Sequence, residues 1–411
     1  MPCVLLLMPT QTYRASAFLT AAKKLAFTVV VATERAQALA YLAPEANLTL
    51  PFDNPQVASD KIGDFSRNHP IDAVIAVDET TAVISAWAAR ALGLPGNTPE
   101  GAQAAMEKHR MRQILAGSSI LSPWFKLLSL DGKAFKAEAN QLRYPCVAKP
   151  LFLSSSRGVI RANNDKELLE ACEIIRTILD DTTVKNVSPQ LADQLLVEEY
   201  IPGEEVALEG ILTNGDLKVL AIFDKPDPLV GPYFEETLYV TPSRHSRTIQ
   251  NQIAEVAKQA AAAMGICHGP VHAELRLNDK GVWVVEIAAR SIGGLCSQAL
   301  RFEDNCSLEE IILRHAVGED IGPIQRESLA AGVMMIPIPK AGVLRSVVGL
   351  ERAEQVEGID EIKISIPLTQ KVLPMPLGNR YLGFIFASSK TASEVEKALR
   401  AAHKLLSFRI D

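Results

Sequence analysis

The chain has 411 residues, of which 48% are hydrophobic and 22% are charged, and its formal net charge is −6. This length indicates two to four domains, and the apolar content argues against general disorder. The negative charge argues against a dedicated nucleic-acid-binding protein. No apolar run approaches the length of a membrane span, so we expect neither nucleic acid nor membrane as a partner.

The first ten residues, MPCVLLLMPT, lack a basic segment and predict a β-strand rather than a signal peptide. The six cysteines form no Cys-x-x-Cys pair and lie at positions 3, 146, 172, 267, 296 and 306. This spacing indicates neither a zinc site nor a disulfide framework. Because reduced thiols are typical of the cytosol, we expect a cytoplasmic protein.

The N-terminal region alternates short apolar strands with helices. Strands are predicted at 4–8, 28–32 and 73–77, and helices at 15–25 and 81–92. This alternation is typical of a parallel sheet with covered faces, whose ligands bind beyond the carboxyl ends of the strands. The loops 10–14 and 78–80 lie at such ends, where they either face a ligand or only connect elements. No Gly-x-Gly-x-x-Gly motif supports a dinucleotide site.

A turn-rich stretch at 94–100 predicts a domain boundary, and a helix that carries residues 106–112 follows it. From Tyr144 the pattern changes to a strand that contains Lys149, a serine-rich loop at 154–158 and a second strand. Such a hairpin could act as a flap whose hydroxyl and N–H groups bind phosphate. Ordinary exposed hairpins often have the same composition, which leaves the alternative open.

The middle of the chain continues with further strands and one long helix. A strand at 195–201 is broken by Pro202-Gly203 and resumes at 204–212. Asn214-Gly215 predicts a hairpin turn. A helix is predicted at 247–264, where Gly265 can cap its end.

Two strands between residues 269 and 295 carry the most informative pattern. Gly281 predicts a three-residue turn, which places Asn278 opposite Val282 and Glu274 opposite Glu286. Side chains alternate along a strand. One face of the hairpin is therefore predicted to carry His272, Glu274, Arg276, Val282, Val284, Glu286, Ala288 and Arg290.

The two glutamates on this face need a positive partner, because opposed carboxylates repel. A hard divalent cation with oxygen ligands is the natural candidate. Arg290 is followed by Ser-Ile-Gly-Gly, a backbone able to approach a ligand closely, so the pattern indicates a phosphate site. The alternative is a solvated sheet face on which Arg276 and Arg290 neutralise the glutamates.

The C-terminal region predicts a compact α+β unit. A helix at 308–317 precedes it, further strands begin at residue 330, and a strand at 383–387 leads to a terminal helix at 391–406. Strands followed by one covering helix are typical of such units.

Taken in this order, the segments resemble an ATP-grasp ligase over roughly residues 100–320. The resemblance rests on the Lys108 helix, Val-Ala-Lys149-Pro, the loop 154–158, Val-Glu-Glu-Tyr-Ile201 with Pro-Gly-Glu-Glu205, His272-x-Glu274 and Glu286-x-x-x-Arg290. The C-terminal Met-Met-Ile-Pro-Ile-Pro339 and Tyr-Leu-Gly-Phe-Ile-Phe-Ala387 resemble the accessory domain of the L-amino-acid ligases, which join amino acids into dipeptides.

The resemblance implies a fold that combines α/β and α+β parts. It predicts an N-terminal parallel-sheet domain, called the pre-ATP-grasp domain, at 1–105. It predicts a two-part ATP-grasp core at 106–328, with a lid at about 120–197, and a small α+β C-terminal domain at 329–411. A homodimer is common among such ligases.

The resemblance also implies an ATP site. Lys108 and Lys149 would contact the ATP phosphates, and Lys149 is also counted among the catalytic residues. The flap that closes over the phosphates would consist of Ser154, Ser155, Ser156, Arg157 and Gly158. The adenine hinge and the ribose contact would be formed by Glu198, Glu199, Tyr200, Ile201 and Glu205.

The implied catalytic and metal residues lie in the 269–295 hairpin. Glu274 and Glu286 would coordinate Mg²⁺, with Mn²⁺ as an alternative. Arg290 would lie beside the transferred phosphoryl group and the tetrahedral intermediate, with Gly293 and Gly294 nearby. Substrate contacts are assigned to His272, Arg276 and Ser291. His272 or Glu205 could help to deprotonate the amine, although histidines on apolar strands are more often structural.

One position departs from the family pattern. Family members usually carry Asn two residues after the second glutamate, where this chain has Ala288. Magnesium keeps several waters and needs few protein ligands, so water could take the place of the missing Asn. Weaker binding of the second metal is then expected, and an inactive nucleotide-binding relic is the alternative.

The implied activity is ATP-dependent ligation of an amino-acid carboxylate to an amine, through an acyl phosphate. Two alternatives stay open: a different carboxylate, as in purine or natural-product biosynthesis, and an ATP-binding regulatory protein.

Overall fold

The computed structural model describes residues 1–37, 43–130, 142–185, 188–322 and 324–411. Its N-terminal part is a sheet in the order β3-β2-β1-β4 with parallel pairings, as predicted. The strands are β1 (Cys3–Leu7), β2 (Thr28–Thr33), β3 (Asn47–Thr49) and β4 (Ala73–Ala76). The helices are α1 (Ala15–Lys24), α2 (Pro55–Ser66) and α3 (Ala82–Leu92). Strand β1 is apolar throughout because α1 covers one of its faces and α2 and α3 cover the other.

The predicted helix over 106–112 is divided in the structure, so that prediction is wrong in part. The chain forms α4 (Pro99–Met106) and α5 (Lys108–Ala116), and Glu107 between them has extended backbone with φ −101° and ψ 101°. The break makes Lys108 the first residue of α5, and its N–H donates to the Leu151 carbonyl at 3.0 Å. The end of β6 (Cys146–Pro150) is thereby joined to α5.

A four-stranded antiparallel sheet follows in the order β5-β8-β6-β7. It consists of β5 (Phe125–Ser129), β6, β7 (Ile160–Ala162) and β8 (Gln194–Glu199). The amphipathic helix α6 (Asp165–Leu179) packs on it, and the short α7 (Thr182–Lys185) follows. The predicted flap is the loop between β6 and β7. Part of the lid predicted at about 120–197 lies outside the described residues.

The central sheet has eight strands in the order β13-β12-β9-β10-β11-β16-β20-β18, of which the last three are Ala330–Ile336, Gly383–Ser389 and Ile359–Ile364. Its core strands are β9 (Glu204–Thr213), β10 (Asp216–Asp224), β11 (Leu238–Thr241), β12 (Gly269–Asn278) and β13 (Gly281–Ala288). Helix α8 (Arg247–Met264) packs on one face, and Gly265 ends it in the left-handed conformation, as predicted. Asn214 and Gly215 have positive φ, which confirms the hairpin turn between β9 and β10.

The turn between β12 and β13 differs from the prediction. Asn278 pairs with Gly281 across a two-residue turn, so the expected pairing of Asn278 with Val282 is wrong. The tight turn forms because the Asn278 side-chain oxygen accepts a hydrogen bond from the Lys280 N–H at 3.0 Å. Val282 and Val284 consequently pack in the apolar core beneath α8 and do not share the glutamate face.

A β-bulge nevertheless brings the two glutamates together. Leu275 pairs with Val284 and Glu274 pairs with Glu286, so that Val285 is the extra residue. The bulge offsets the one-residue error at the turn, and the predicted pairing of Glu274 with Glu286 is confirmed.

The C-terminal part extends the central sheet. A small ladder of β14 (Arg301–Phe302) and β15 (Cys306–Ser307) precedes α9 (Leu308–Ala316). The remaining elements are β16 (Ala330–Ile336), β17 (Gly342–Val348), α10 (Leu350–Glu354), β18 (Ile359–Ile364), β19 (Lys371–Val372), β20 (Gly383–Ser389), α11 (Ala392–Leu405) and β21 (Ser407–Ile410). Strand β16 pairs antiparallel with β11, and β17 lies between β19 and β21 in a separate sheet. Within the described ranges, we find no helix with the length and apolar character needed to cross a membrane.

Two histidines meet where the N-terminal part contacts the core. The rings of His268 and His315 lie 4.6 Å apart, and Thr213 Oγ1 is 2.9 Å from His315 Nε2. Burial lowers the pKa of both, and in His315, where His268 adds to the effect, the pKa falls to about 4. His315 is therefore neutral in the folded protein at neutral pH.

This pair predicts a loss of stability in mild acid. An unfolded histidine titrates near pH 6.5, so the unfolded state binds more protons than the folded state between about pH 6.5 and 4. The stabilisation of the folded state by neutral His315 is complete above this pH range and is lost as the pH falls through it. We expect the Tm to fall less steeply from pH 7 to 4.5 in His315→Gln than in the parent. His69→Gln is the control, since His69 stacks on Phe65 away from the junction, and an identical slope for His315→Gln and the parent would contradict the assignment.

Candidate active site

A cavity of about 470 Å³ lies between the flap, the central sheet and loops of the N- and C-terminal parts. The loops predicted to face a ligand at the ends of β1 and β4 contribute to its wall. The predicted site residues that line it are Lys108, Lys149, Ser154, Ser155, Ser156, Glu198, Glu199, Tyr200, Ile201, Glu205, His272, Glu274, Arg276, Glu286, Arg290, Gly293 and Gly294. Arg157, Gly158 and Ser291 are outside the lining.

The opposed pair Glu274 and Glu286 meets cationic side chains in the cavity. The Lys108 ammonium lies 3.2 Å from Glu286, and the Lys225 ammonium lies 3.4 Å from Glu274. Burial alone would raise the pKa of both carboxyl groups. The charge of Lys108 outweighs burial at Glu286, and Lys225 and His272 outweigh it at Glu274, so the pKa of each glutamate is lowered. Two ionised carboxylates on facing strands are hard oxygen donors and fit Mg²⁺, which needs few protein ligands. Ala288, which is fully buried opposite His272, adds no donor.

A second acidic group lies next to this pair. Carboxylate oxygens of Glu205, Glu236 and Glu274 approach within 4.8 Å of one another. The buried Lys225 ammonium contacts all of them, including Glu205 at 2.7 Å, so this group is an ion-pair cluster. Burial, opposed by Lys225 and reinforced by Glu274, raises the pKa of Glu236 to about 7.

Lys149 and Glu198 form part of a buried network at the base of the lid. Glu198 lies 2.5 Å from the Lys149 ammonium and accepts a hydrogen bond from Arg112 Nε at 2.7 Å. A further Arg112 nitrogen donates to the Val285 carbonyl at 2.5 Å, within the bulge. Burial, partly offset by Glu198, lowers the pKa of Lys149 to about 8. The Glu198 side chain thus orients the two cations.

The predicted hinge is held by Arg276 from below. Its guanidinium donates to the Ile201 carbonyl at 2.7 Å, to Glu205 at 2.7 Å and to the Leu229 carbonyl at 2.6 Å. Arg276 also lies 5.4 Å from the Tyr200 ring centroid. Each of its three nitrogens thus donates to a protein group, so its position favours hinge support over the predicted substrate contact.

The loop after β13 is anchored from two sides. Arg290 donates to Glu79 of the N-terminal part at 3.1 Å. Burial alone would lower the pKa of Arg290, but the negative charge of Glu79 outweighs burial and raises it. The Ile292 N–H donates to buried Glu209 at 3.0 Å. Ser291 is buried and accepts a hydrogen bond from Arg14 at 2.6 Å, a position that favours an anchoring role over substrate contact.

His272 links this loop to Glu274 of the opposed glutamate pair. Its Nδ1 hydrogen-bonds to Glu209, and its Nε2 lies 3.4 Å from Glu274 Oε1. Burial would lower its pKa, but the carboxylates of Glu209 and Glu274 raise the pKa to about 9. At neutral pH the imidazolium donates to both carboxylates, so its contacts favour a positioning role over that of a base.

Several residues of the site escaped the sequence analysis. Lys225 directly follows β10 and Glu236 lies in the loop between β10 and β11, where the sequence shows only isolated charges. Glu209 lies in the apolar run of β9, and a buried acid in such a run is itself a signal of a specific partner.

The flap is held by the C-terminal part. Ser155 and Ser156 have positive φ, as does Gly158. The Gly158 N–H donates to the Pro376 carbonyl at 3.1 Å, and Arg157 Nε donates to the Leu377 carbonyl at 2.9 Å. The three serines face the cavity while the next two residues fasten the loop.

Three family models match the chain in the order of its structural parts. Residues 19–96 match the ATP-grasp N-terminal domain, residues 142–299 the ATP-grasp domain, and residues 334–411 the L-amino acid ligase C-terminal domain 2. The chain therefore belongs to the ATP-grasp superfamily of carboxylate–amine ligases, as the sequence motifs predicted.

Comparison with individual proteins shows which members of the superfamily the chain is similar to. The L-amino acid ligase from Bacillus licheniformis superposes with a TM-score of 0.84 at 26% identity, covering 100% of this chain and 99% of that chain. Alanine–anticapsin ligase from Bacillus subtilis is 28% identical over 235 residues, 54% of this chain and 49% of that protein, so the chain spans about half its length. N5-carboxyaminoimidazole ribonucleotide synthetase from Thermotoga maritima shares the fold, with a TM-score of 0.69 at 17% identity over 100% of both chains. The C-terminal domain and the fold of the whole chain are thus similar to those of L-amino acid ligases.

The flap position predicts protection by nucleotide. We expect ATP with Mg²⁺ to slow tryptic cleavage after Arg157, because phosphates bound beneath the serines would hold the loop closed. Cleavage after Lys390, in an exposed bend of the C-terminal part, serves as the internal control. Mass spectrometry of the fragments measures both rates, and equal cleavage of Arg157 with and without nucleotide would refute closure.

Proposed function

We propose that the protein ligates an amino-acid carboxylate to an amine, the amine being that of a second amino acid, with ATP converted to ADP and phosphate. The observation that carries the proposal is the meeting of Glu274, Glu286, Lys108, Lys149 and Arg290 around one cavity. Paired carboxylates fit Mg²⁺, and the three cations fit the phosphates and the developing negative charge.

The chemistry explains why these charges are needed. A carboxylate lacks a good leaving group, and transfer of the γ-phosphoryl group to it forms an acyl phosphate, which has one. The amine then attacks the acyl carbon, the C–N bond forms, and phosphate leaves with the acyl oxygen. In such transfers the protein chiefly positions the reactants and stabilises charge.

Each residue has a part in this sequence. Glu274 and Glu286 would hold Mg²⁺, which when bound would neutralise phosphate charge. Lys108 and Lys149 would bind ATP phosphates. Arg290, held at Glu79, would donate to the oxyanion of the tetrahedral intermediate.

The backbone of the loop after β13 would complete the oxyanion site. Gly293 and Gly294 line the cavity, and no side chain at either position shields their backbone. Gly294 has φ +60°, a conformation that side-chain-bearing residues rarely adopt.

Phosphate release from ATP and Mg²⁺ across all pairs of the twenty amino acids tests the proposal, with mass spectrometry of the active mixtures. Release that requires two amino acids and yields a dipeptide mass is the expected result. Release with one amino acid alone would indicate an acceptor of another kind. Tight ATP binding without release from any pair would contradict amino-acid ligation.

The alternative of a regulatory ATP-binding protein is motivated by Ala288. It predicts ATP binding without ADP formation for every carboxylate tested, including those of purine and natural-product biosynthesis. Amino-acid-dependent phosphate release would exclude it.

A further inference from the structure

Three aromatic side chains form part of the cavity wall, next to the loop that follows Arg290. Tyr13, Tyr381 and Phe384 all line the cavity. The Phe384 ring centroid lies 6.3 Å from that of Tyr13 and 6.2 Å from that of Tyr381, both in edge-to-face geometry. All three side chains contribute surface to the cavity, where a further aromatic group could pack in offset or edge-to-face geometry. The wall is drawn from both the N-terminal and the C-terminal part of the chain.

Two sulfur-containing side chains extend this wall. Cys296 Sγ lies 3.7 Å from Met335 Sδ, and both residues are buried and line the cavity. Thiol and thioether groups are polarizable and contact aromatic or thioether groups favourably. Five side chains from three parts of the fold thus form a largely apolar, uncharged surface, whose polar groups are two tyrosine hydroxyls and one thiol. We call this surface the apolar wall: Tyr13, Cys296, Met335, Tyr381 and Phe384.

The apolar wall lies directly beside the reacting loop. A Cβ atom built on Gly294 would be 3.5 Å from the Phe384 ring and 4.0 Å from Cys296 Sγ. Because Gly294 has no side chain, nothing of residue 294 separates the ring from the space next to Arg290. A substrate whose carboxyl group reacts near Arg290 would therefore direct its side chain toward the wall.

From this arrangement we infer that one of the two substrates is an amino acid with an aromatic or thioether side chain, held against the apolar wall. The inference rests on the proposed function and adds the substrate class. The wall carries no charged group, so a charged side chain there would lose hydration without gaining an ion-pair partner from the wall. A small side chain would leave the wall uncovered and forgo the burial that favours a large apolar group.

Substrate competition tests the inference. At equal concentrations, kcat/KM should be at least about 10-fold higher for phenylalanine, tyrosine or methionine than for alanine, serine or aspartate, since pocket contacts of one or a few carbon atoms discriminate by about 10-fold or more. Tyr13→Ala should lower kcat/KM for phenylalanine by about 10-fold and leave that for small substrates within about 2-fold.

The matched control is Tyr233→Ala. Tyr13 and Tyr233 are 41% and 40% exposed, and Tyr233 does not line the cavity. Both variants should fold and bind ATP, which Tm and nucleotide titration would verify. Preference for small or charged amino acids, or equal effects of the two variants, would overturn the side-chain assignment while ligation itself stands. Lack of phosphate release with every amino acid, despite ATP binding, would overturn the proposed function and this inference together.

Discussion

Arg290→Ala is expected to lower the rate of product formation by about 10²–10³-fold, the usual cost of losing one donor to an oxyanion. Nucleotide affinity should change little, because the proposed ATP contacts come from Lys108, Lys149 and the hinge. The rate of phosphate release and a titration with ATP measure the two effects separately. A variant that turns over at a near-normal rate would refute the role.

Two further variants make the Arg290 result specific. Arg67→Ala also removes an arginine that is paired with a carboxylate, Asp64, but both side chains of this pair are exposed, and its activity should be unchanged. Arg290→Lys keeps the positive charge without the planar fork of donors. We expect Arg290→Lys to recover only part of the rate, and full recovery would show that charge alone is sufficient.

Glu209→Gln is expected to lower activity and to raise the Mg²⁺ concentration needed for half-maximal rate, each by about 10–100-fold, as is usual for partners of metal ligands. One Glu209 oxygen accepts from the Ile292 N–H, and the other binds His272, which contacts Glu274. The amide keeps the size of the carboxylate but removes its charge, so His272 would hold Glu274 less firmly. Mg²⁺ titration of the phosphate-release rate gives both quantities.

A purely structural role for Glu209 predicts a different outcome. It would lower the Tm and the active fraction without changing the Mg²⁺ dependence of the molecules that remain folded. Glu173→Gln provides the control, because Glu173 forms an exposed ion pair with Arg176 on α6. An unchanged Mg²⁺ requirement in folded Glu209→Gln would refute the link to the metal carboxylates.

The elements whose side-chain pattern is set by local burial could be predicted from the sequence. The parallel N-terminal sheet, α8 with its Gly265 cap and the hairpin at Asn214 follow from apolar periodicity and turn chemistry. The pairing of Glu274 with Glu286 was predicted correctly through two errors that cancel, a turn too long by one residue and an unforeseen bulge. Bulges depend on the neighbouring strand and leave little trace in a single strand's pattern.

The residues that hold the site in place could not be predicted in the same way. Glu79 and Arg290 are 211 positions apart, and Arg14 and Ser291 are 277 apart, so their contacts exist only once the N-terminal part packs on the core. The family resemblance identified cavity-lining residues such as Lys149 because their motifs are local. The substrate contacts that it assigned to Ser291 and Arg276 stay predictions. The hydrogen bonds of both residues to protein groups could not be foreseen, because a motif shows position in the chain and not the direction of a side chain.

The C-terminal part supplies β16, β20 and β18 to the eight-stranded sheet, and its backbone accepts hydrogen bonds from the flap. The C-terminal part is therefore an integral part of the sheet and of the flap contact. Replacing this part with that of a distant relative would have to preserve two contacts at once, the pairing of β16 with β11 and the hydrogen bonds to the flap. Under the role proposed for the apolar wall, single substitutions there would change substrate preference and leave both of these contacts in place.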